Sequence, residues 1–322
     1  QGVYTWTDYN GNGVQELDEF EVAFFADQAN FIRVQMPSTE YIKVYANKFN
    51  QSLNINPAVR WKSKKGFLKF LSRFSDQFAY SISQKNTSDK IAEFANPFAQ
   101  NISLDELVSM NSTIRNSLSF NRGKPKFGID YIVQSVKGKS LLTTGFDSRT
   151  NFTQTVLIRY NISPKVGMQN STIFGKKGYE SQFFTAKDYK IANIKDDFQF
   201  NVQPNINNRI ALTYNFEQKE NTSGSEKLTS NNVGLEYRLN SVKKGSLNAN
   251  FNFIYYKYAS SGNSAIDYEM LQGLQPGMNF TWGVNFQRQL ANGLQINLSY
   301  NGRKSEASPV IHTASVEVRA YF

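Results

Sequence analysis

Twelve residues near the N-terminus have the types and spacing to hold a hard cation. They run Asp8-Tyr9-Asn10-Gly11-Asn12-Gly13-Val14-Gln15-Glu16-Leu17-Asp18-Glu19. This matches the D-x-[DN]-x-[DN]-G-x5-E spacing of an EF-hand loop at every specified position. Calcium favours oxygen ligands, and each required donor type is present. Asp8, Asn10 and Asn12 offer side-chain oxygens, Val14 its carbonyl, Glu16 a carboxylate that can hold a water, and Glu19 a closing bidentate carboxylate. Gly13 stands where the chain must turn sharply. Two features depart from a helix-loop-helix site: Val3 to Trp6 reads as extended, and Gln15 is polar where an apolar residue is usual. The expectation is an isolated calcium loop followed by a short helix from Asp18 to Asp27. The plainer reading of the same residues is an Asn- and Gly-rich turn without metal.

Other chemistry is scarce. The chain has no Cys and one His, which removes disulfides, thiol catalysis and Cys-based zinc sites. His312 shares a strand face with Ala314, Val316 and Val318, a setting for packing more than for base catalysis. Asp196-Asp197 reads as a solvated pair at the rim of a strand. Sequons such as Asn151-Phe152-Thr153 are expected by chance in an Asn-rich chain. This inventory points away from an enzyme.

The elements that must carry the loop are strands. From about residue 112 onward, segments of alternating polarity are separated by polar breaks. Phe280, Trp282, Val284 and Phe286 alternate with Thr281, Gly283, Asn285 and Gln287. Leu247, Ala249, Phe251 and Phe253 alternate with Asn248, Asn250 and Asn252. Similar segments centre on Leu118, Tyr131, Ile158, Phe200, Leu212, Leu235 and Leu298, with a weaker one over 165–175. Two more are expected over 41–55 and 67–84. The chain ends on Val310–Phe322, again alternating, which makes about thirteen strands. Short breaks at 122–126, 163–165, 204–207, 241–246 and 290–293 alternate with long ones at 85–111, 138–151, 176–195, 218–230, 259–277 and 303–309. In the 85–111 break, Ser103-Leu104-Asp105-Glu106 fits a helix capping box, and Ile91–Phe98 reads as a helical turn.

Such alternation suits apolar-out, polar-in strands with tight turns on one side of a membrane and long loops on the other. Mean hydropathy is −0.49 and no apolar run is long enough for a transmembrane helix. Phe and Tyr number 26 and 17, and Tyr favours membrane interfaces. Net charge is +10. Lys and Arg look scattered through turns and loops, without a basic helix, so anionic lipid and lipopolysaccharide are the expected counter-charge and nucleic acid is not. Gln1-Gly2-Val3-Tyr4 opens directly into folded-looking sequence, so no signal peptide is expected within the chain.

Several stretches together carry a resemblance. They are Tyr4–Gly13 with Glu16-Leu17-Asp18-Glu19-Phe20, Tyr268-Glu269-Met270-Leu271-Gln272-Gly273-Leu274-Gln275-Pro276-Gly277, Tyr300-Asn301-Gly302-Arg303-Lys304-Ser305-Glu306, and the terminal Val316–Phe322. The chain resembles the C-terminal region of large Bacteroidota outer-membrane proteins, a mostly uncharacterised group, and its last strand resembles an outer-membrane signal strand. The resemblance covers most of the chain and implies location more than activity.

The expected fold is therefore all-β: a transmembrane antiparallel barrel, or its C-terminal part. Residues 1–40 are expected to form an extracellular segment with the calcium loop, and 41–322 the barrel strands, with the C-terminus at the periplasmic side. An odd strand count favours part of a larger barrel, because both ends of a bacterial barrel normally lie in the periplasm. The expected function is a conduit, or a subunit of an outer-membrane transport, secretion or assembly complex, with outer-membrane or periplasmic protein partners. The alternative is a barrel-anchored surface binding or adhesion protein. Inward Asn, Gln, Ser and Thr suggest a wet interior.

Overall fold

The computed structural model describes residues 2–34, 41–87, 107–142, 145–241, 245–260, 264–290, 293–306 and 308–320. A small antiparallel pair, β1 (Tyr4–Trp6) and β2 (Phe20–Val22), brackets the candidate loop. Thirteen strands then form one antiparallel sheet in chain order. They are β3 (Tyr45–Ile55), β4 (Phe74–Asn86), β5 (Leu107–Phe120), β6 (Phe127–Leu142), β7 (Gly145–Ser163), β8 (Val166–Ser181) and β9 (Tyr189–Asn205). The series continues with β10 (Asn208–Asn221), β11 (Lys227–Ser241), β12 (Gly245–Ala259), β13 (Gly277–Gln289), β14 (Leu294–Ser305) and β15 (Ile311–Ala320). β3 and β15 are the edges of this open sheet.

Period-2 alternation gives the sheet two different faces. On one face, cross-strand rows such as Phe200–Leu212–Leu235–Phe251–Trp282 and Phe198–Tyr214–Val233–Phe253–Phe280 run from strand to strand. Aromatic neighbours fix the register locally: Phe253 and Phe280 lie 5.3 Å apart. The row continues at Gly302, over which Trp282 lies to meet His312 edge-on at 6.0 Å. A Cβ on Gly302 would stand 2.1 Å from the Trp282 ring, so a side chain there would displace the indole. His312 is thus a packing residue: its ring stacks on Tyr300, and its Nδ1 lies 2.8 Å from the Tyr300 hydroxyl.

The opposite face carries Asn, Gln, Ser, Thr and paired charges. Lys195–Asp197 (3.0 Å), Glu217–Lys219 (3.4 Å), Glu236–Arg238 (3.2 Å) and Glu317–Arg319 (2.8 Å) each join neighbours two apart on one strand. Asp130 and Arg159 pair across β6 and β7 at 3.0 Å. Each of these pairs is neutral in itself, and Arg209 adds a cation that has no ion-pair partner among the described residues and donates to Asn201 at 2.7 Å.

Connections alternate between two ends of the sheet. At one end lie tight turns; in β9–β10 the Asn205 Oδ1 accepts the Asn207 and Asn208 amides, each at 3.0 Å. At the other end the expected long breaks prove to be largely strand. β6 and β7 continue to Leu142 and from Gly145, and β8 continues to Ser181 before β9 begins at Tyr189. Apolar residues in these extensions are few and irregularly spaced, so the sequence pattern reads them as loop. Also at this end, the connection between β12 and β13 carries α3 (Ala265–Leu271), capped by Ser264. The expected turns at Ser103–Glu106 and Ile91–Phe98 lie outside the described residues.

One tight-turn connection breaks the pattern. Between β3 and β4 stand two short helices, α1 (Ala58–Trp61) and α2 (Phe67–Leu71), so the strand expected over 67–84 begins at Phe74. Phe67, Leu68, Phe70 and Leu71 have helical i, i+3, i+4 spacing rather than alternation. Asp196 and Asp197 likewise differ from expectation: they sit mid-strand in β9 on opposite faces, with Asp196 accepting from Asn170 (2.9 Å) and Thr172 (2.7 Å).

The buried apolar cluster is small and local. Ile191, Leu228, Ile254 and Tyr256 project from the polar-face side near the irregular end and meet Ile266, Met270, Leu271 and Leu274. α3 and the N-terminal segment therefore cover that end of the polar face, where the sequence suggests an open, wet surface.

Candidate metal centre

The candidate loop leaves β1 after Trp6 and re-enters the fold through a single 3-10 turn, Leu17–Glu19, and β2. The helix expected over Asp18–Asp27 is absent. Phe20–Val22 pair with β1, and after a turn Phe31 bridges to Tyr4. Backbone pairing in this small sheet outcompetes helix formation.

Within the loop, Asp8 acts as an organiser. Its Oδ1 accepts the amides of Gly11 (2.6 Å) and Asn12 (3.2 Å), and its Oδ2 accepts that of Gly13 (2.8 Å). Asn10 Oδ1 accepts the Asn12 amide at 2.9 Å, and Asn12 Oδ1 accepts the Val14 amide at 2.6 Å. Gly13 takes φ +72°, the left-handed backbone for which glycine is suited. The loop is exposed. Glu16 Oε2 accepts from the Asn10 and Asn12 amide groups at 2.6 and 3.3 Å. A cation would compete for the Asp8, Asn10 and Asn12 oxygens and for the Glu16 carboxylate, with the Val14 carbonyl following in the chain.

Glu19 behaves differently. It is 2% exposed. Its Oε2 accepts the Trp6 indole N–H at 2.8 Å and the Glu16 amide at 3.4 Å, and its Oε1 accepts the Tyr9 amide at 3.2 Å. A carboxylate has about four lone-pair sites, so capacity for a cation remains beside these bonds. In this geometry Glu19 ties the loop to β1. Among the described residues, no group of three or more His, Cys, Asp or Glu side chains converges to hold a metal. The donors that fit a cation here are therefore chiefly amide and backbone oxygens around Asp8.

From this loop the chain runs into the covered end of the large sheet. Lys187 Nζ donates to the Phe20 carbonyl at 2.8 Å and lies 2.8 Å from Glu21 Oε1. Burial raises the Glu21 carboxyl above its ordinary value, and Lys187 opposes that shift. Phe24 packs against Tyr268, whose hydroxyl accepts the Phe24 amide at 3.1 Å. Arg303 pairs with Asp27 at 2.6 Å and lies 4.0 Å over the Phe25 ring.

No family model matches this chain, and no curated protein matches it. The chemistry must be read from the geometry.

The sequence motif marks the loop but not the anchors that follow it. Glu21 and Asp27 are far in sequence from their partners Lys187 and Arg303, and no local spacing brings them together.

Proposed function

We propose that this chain is an outer-membrane β-barrel protein, or the C-terminal part of one, serving as a conduit or as a subunit of an outer-membrane transport, secretion or assembly complex. The exposed apolar face of the thirteen-stranded sheet carries this reading. Leu212, Leu235 and Phe251 are 50, 51 and 46% exposed at the middle of the sheet, with Phe174, Val233, Leu298 and Val316 also exposed along it. Water-soluble monomers rarely leave so continuous an apolar surface uncovered. Lipid would cover it, and the polar opposite face with its ion pairs would line the interior.

Strand direction supports the larger-barrel form of this reading. β3 and β15 are the first and thirteenth strands of an antiparallel series, so they run in the same direction. Antiparallel closure between them requires an odd number of further strands. In this reading the tight-turn end is periplasmic, and α3 with the N-terminal segment closes the extracellular end.

Membrane insertion and single-cysteine labelling test the proposal. Cysteines at Phe183 and Thr222 are expected to react with an impermeant reagent on intact cells, and cysteines at Ile206 and Lys165 only after the outer membrane is opened. The reverse pattern, or a chain recovered in the soluble fraction, would rule out the assignment.

Calcium at the Asp8–Glu19 loop belongs to the same proposal as a structural clip. Asp8→Asn is expected to weaken calcium binding by titration, because it removes a formal charge from the residue that organises the loop. Glu19→Gln is expected to do so too, and also to accelerate hydrogen exchange over residues 2–34, since it weakens the acceptor that holds Trp6 and Tyr9. The large-sheet strands should be unchanged in both variants. Magnesium should bind less well, because it demands tighter octahedral geometry. Equal calcium affinity in wild type and both variants would remove the metal from the proposal.

A further inference from the structure

The helical hairpin between β3 and β4 has an unusual composition. From Asn56 to Ser75 it carries Arg60, Lys62, Lys64, Lys65, Lys69 and Arg73 and no carboxylate. None of these six makes an ion pair among the described residues. Interleaved with them are uncovered apolar side chains: Val59 is 82% exposed, Phe67 71% and Phe70 47%. A solvated basic turn has no use for exposed phenylalanines, and an apolar contact has no use for six unpaired cations. Together they fit a surface that is anionic outside and apolar beneath.

Position narrows the choice. Phe70 packs on Phe74 at 5.4 Å and on Phe120 at 6.1 Å. Phe74 and Phe120 are cross-strand partners at the tight-turn ends of β4 and β5, on the apolar face, with Phe120 in register with Ile129. The Arg73 guanidinium lies 5.3 Å over the Phe120 ring. The hairpin thus continues the lower rim of the apolar face without a break. The Asn121 amide donates to the Arg73 carbonyl at 2.8 Å, which places the β5–β6 turn beside it. That turn adds Arg122, Lys124 and Lys126, again without a carboxylate.

We infer that this hairpin docks onto anionic phospholipid in the leaflet at the tight-turn end of the barrel. Phe67, Phe70 and Val59 would enter the headgroup–acyl boundary while the cations take lipid phosphates, the division of labour of an interfacial basic amphipathic segment. The inference rests on the barrel reading and gives that barrel a lipid preference on one side. Its physical role is to fix the depth of β3–β5 in the bilayer.

The test uses the full chain reconstituted into vesicles of phosphatidylcholine alone and of phosphatidylcholine mixed with phosphatidylglycerol. Lipid retained on the extracted protein is identified by native mass spectrometry. Wild type is expected to retain phosphatidylglycerol preferentially. A variant carrying Lys62→Gln, Lys64→Gln, Lys65→Gln and Lys69→Gln should lose that preference by about tenfold or more, while Lys-to-Arg changes at the same four positions should keep it. Phe67→Ser with Phe70→Ser should weaken retention at unchanged charge. Insertion into pure phosphatidylcholine, judged by resistance to alkaline wash, should be the same for all. An undiminished preference in the four-Gln variant would overturn the inference, as would a wild type without preference. So would loss of preference for lipid accompanied by charge-dependent capture of polyglutamate, which would point to an acidic protein partner. Failure of the barrel reading shows separately, as a wild type that washes out of phosphatidylcholine vesicles altogether.

Discussion

Replacing Phe251 or Leu235 with arginine is expected to keep the protein out of the membrane fraction. Both side chains are half exposed at the centre of the sheet's apolar face, in one cross-strand row with Leu212 and Trp282. An arginine on the lipid face of a barrel costs about 2–4 kcal/mol near the midplane and less toward the interfaces. That corresponds to roughly a thirty- to thousandfold shift against insertion. The two positions face each other across β11 and β12, so a double substitution also places like charges side by side and should cost more than the sum. The controls lie one residue away. Asn250 and Asn252 flank Phe251 on the polar face, where Asn252 donates to Thr281 at 3.3 Å and charge pairs are already present. Arginine there should insert with near wild-type yield. The measurement is the fraction of chain recovered in detergent-resistant, heat-modifiable form after refolding into bilayers. Equal tolerance on the two faces would mean that lipid does not cover the apolar one.

This expectation was legible in the sequence because a strand writes its two faces directly into alternate residues. Thirteen strands could be counted for the same reason, including the weak one that became β8. The pattern failed where apolar residues become sparse and lose their alternation. At Lys137–Leu142, Gly145–Asn151 and Lys176–Ser181 the backbone ladder continues, but Leu141, Leu142, Phe146 and Tyr179 are too few and too irregularly spaced to show a period of two. It failed again at Phe67–Leu71, where apolar residues needed for a helix look like the start of a strand. The candidate loop at Asp8–Glu19 shows a different limit. Its candidate donors lie within one short segment, so types and spacing single it out. The direction of the Glu19 carboxylate depends on Trp6 and Tyr9 in a neighbouring strand and turn, and the following residues pair with β1 instead of coiling. The covering of the polar face was least legible, since it joins Asp27 to Arg303 and Phe24 to Tyr268 across almost the whole chain.

That last contact sets an order of effects that a simple tally of interactions would reverse. Arg303 and Asp27 have side chains 11 and 29% exposed, and the second terminal nitrogen of Arg303, Nη1, is buried without a partner. Removing Asp27 by Asp27→Ala strands a desolvated guanidinium beside Phe25. Removing one member of a buried pair costs about 3–5 kcal/mol, and the partial exposure of Asp27 places this case toward the lower end. Arg303→Met instead removes the buried charge and keeps an unbranched side chain against the Phe25 ring, and such replacements are often close to neutral. Asp27→Ala is therefore expected to release the N-terminal segment, while Arg303→Met leaves it seated and the double variant resembles Arg303→Met. Hydrogen exchange over residues 2–34 reads the release. Ion conductance in planar bilayers reads its consequence, because an unseated segment uncovers the end of the polar face closed by α3 and Phe24. Acidification gives an internal check on sign. Glu21, its pKa raised by burial, contributes to seating most fully below the ordinary carboxylate range and progressively less as pH rises through its folded value. Seating through Glu21 should accordingly strengthen on mild acidification, and Glu21→Gln should flatten that dependence. If Asp27→Ala and Arg303→Met release the segment equally, the ion pair is a net attraction and not a satisfied buried charge. If neither variant raises exchange or conductance, the segment is held by Phe24, Phe25 and the β1–β2 pair alone.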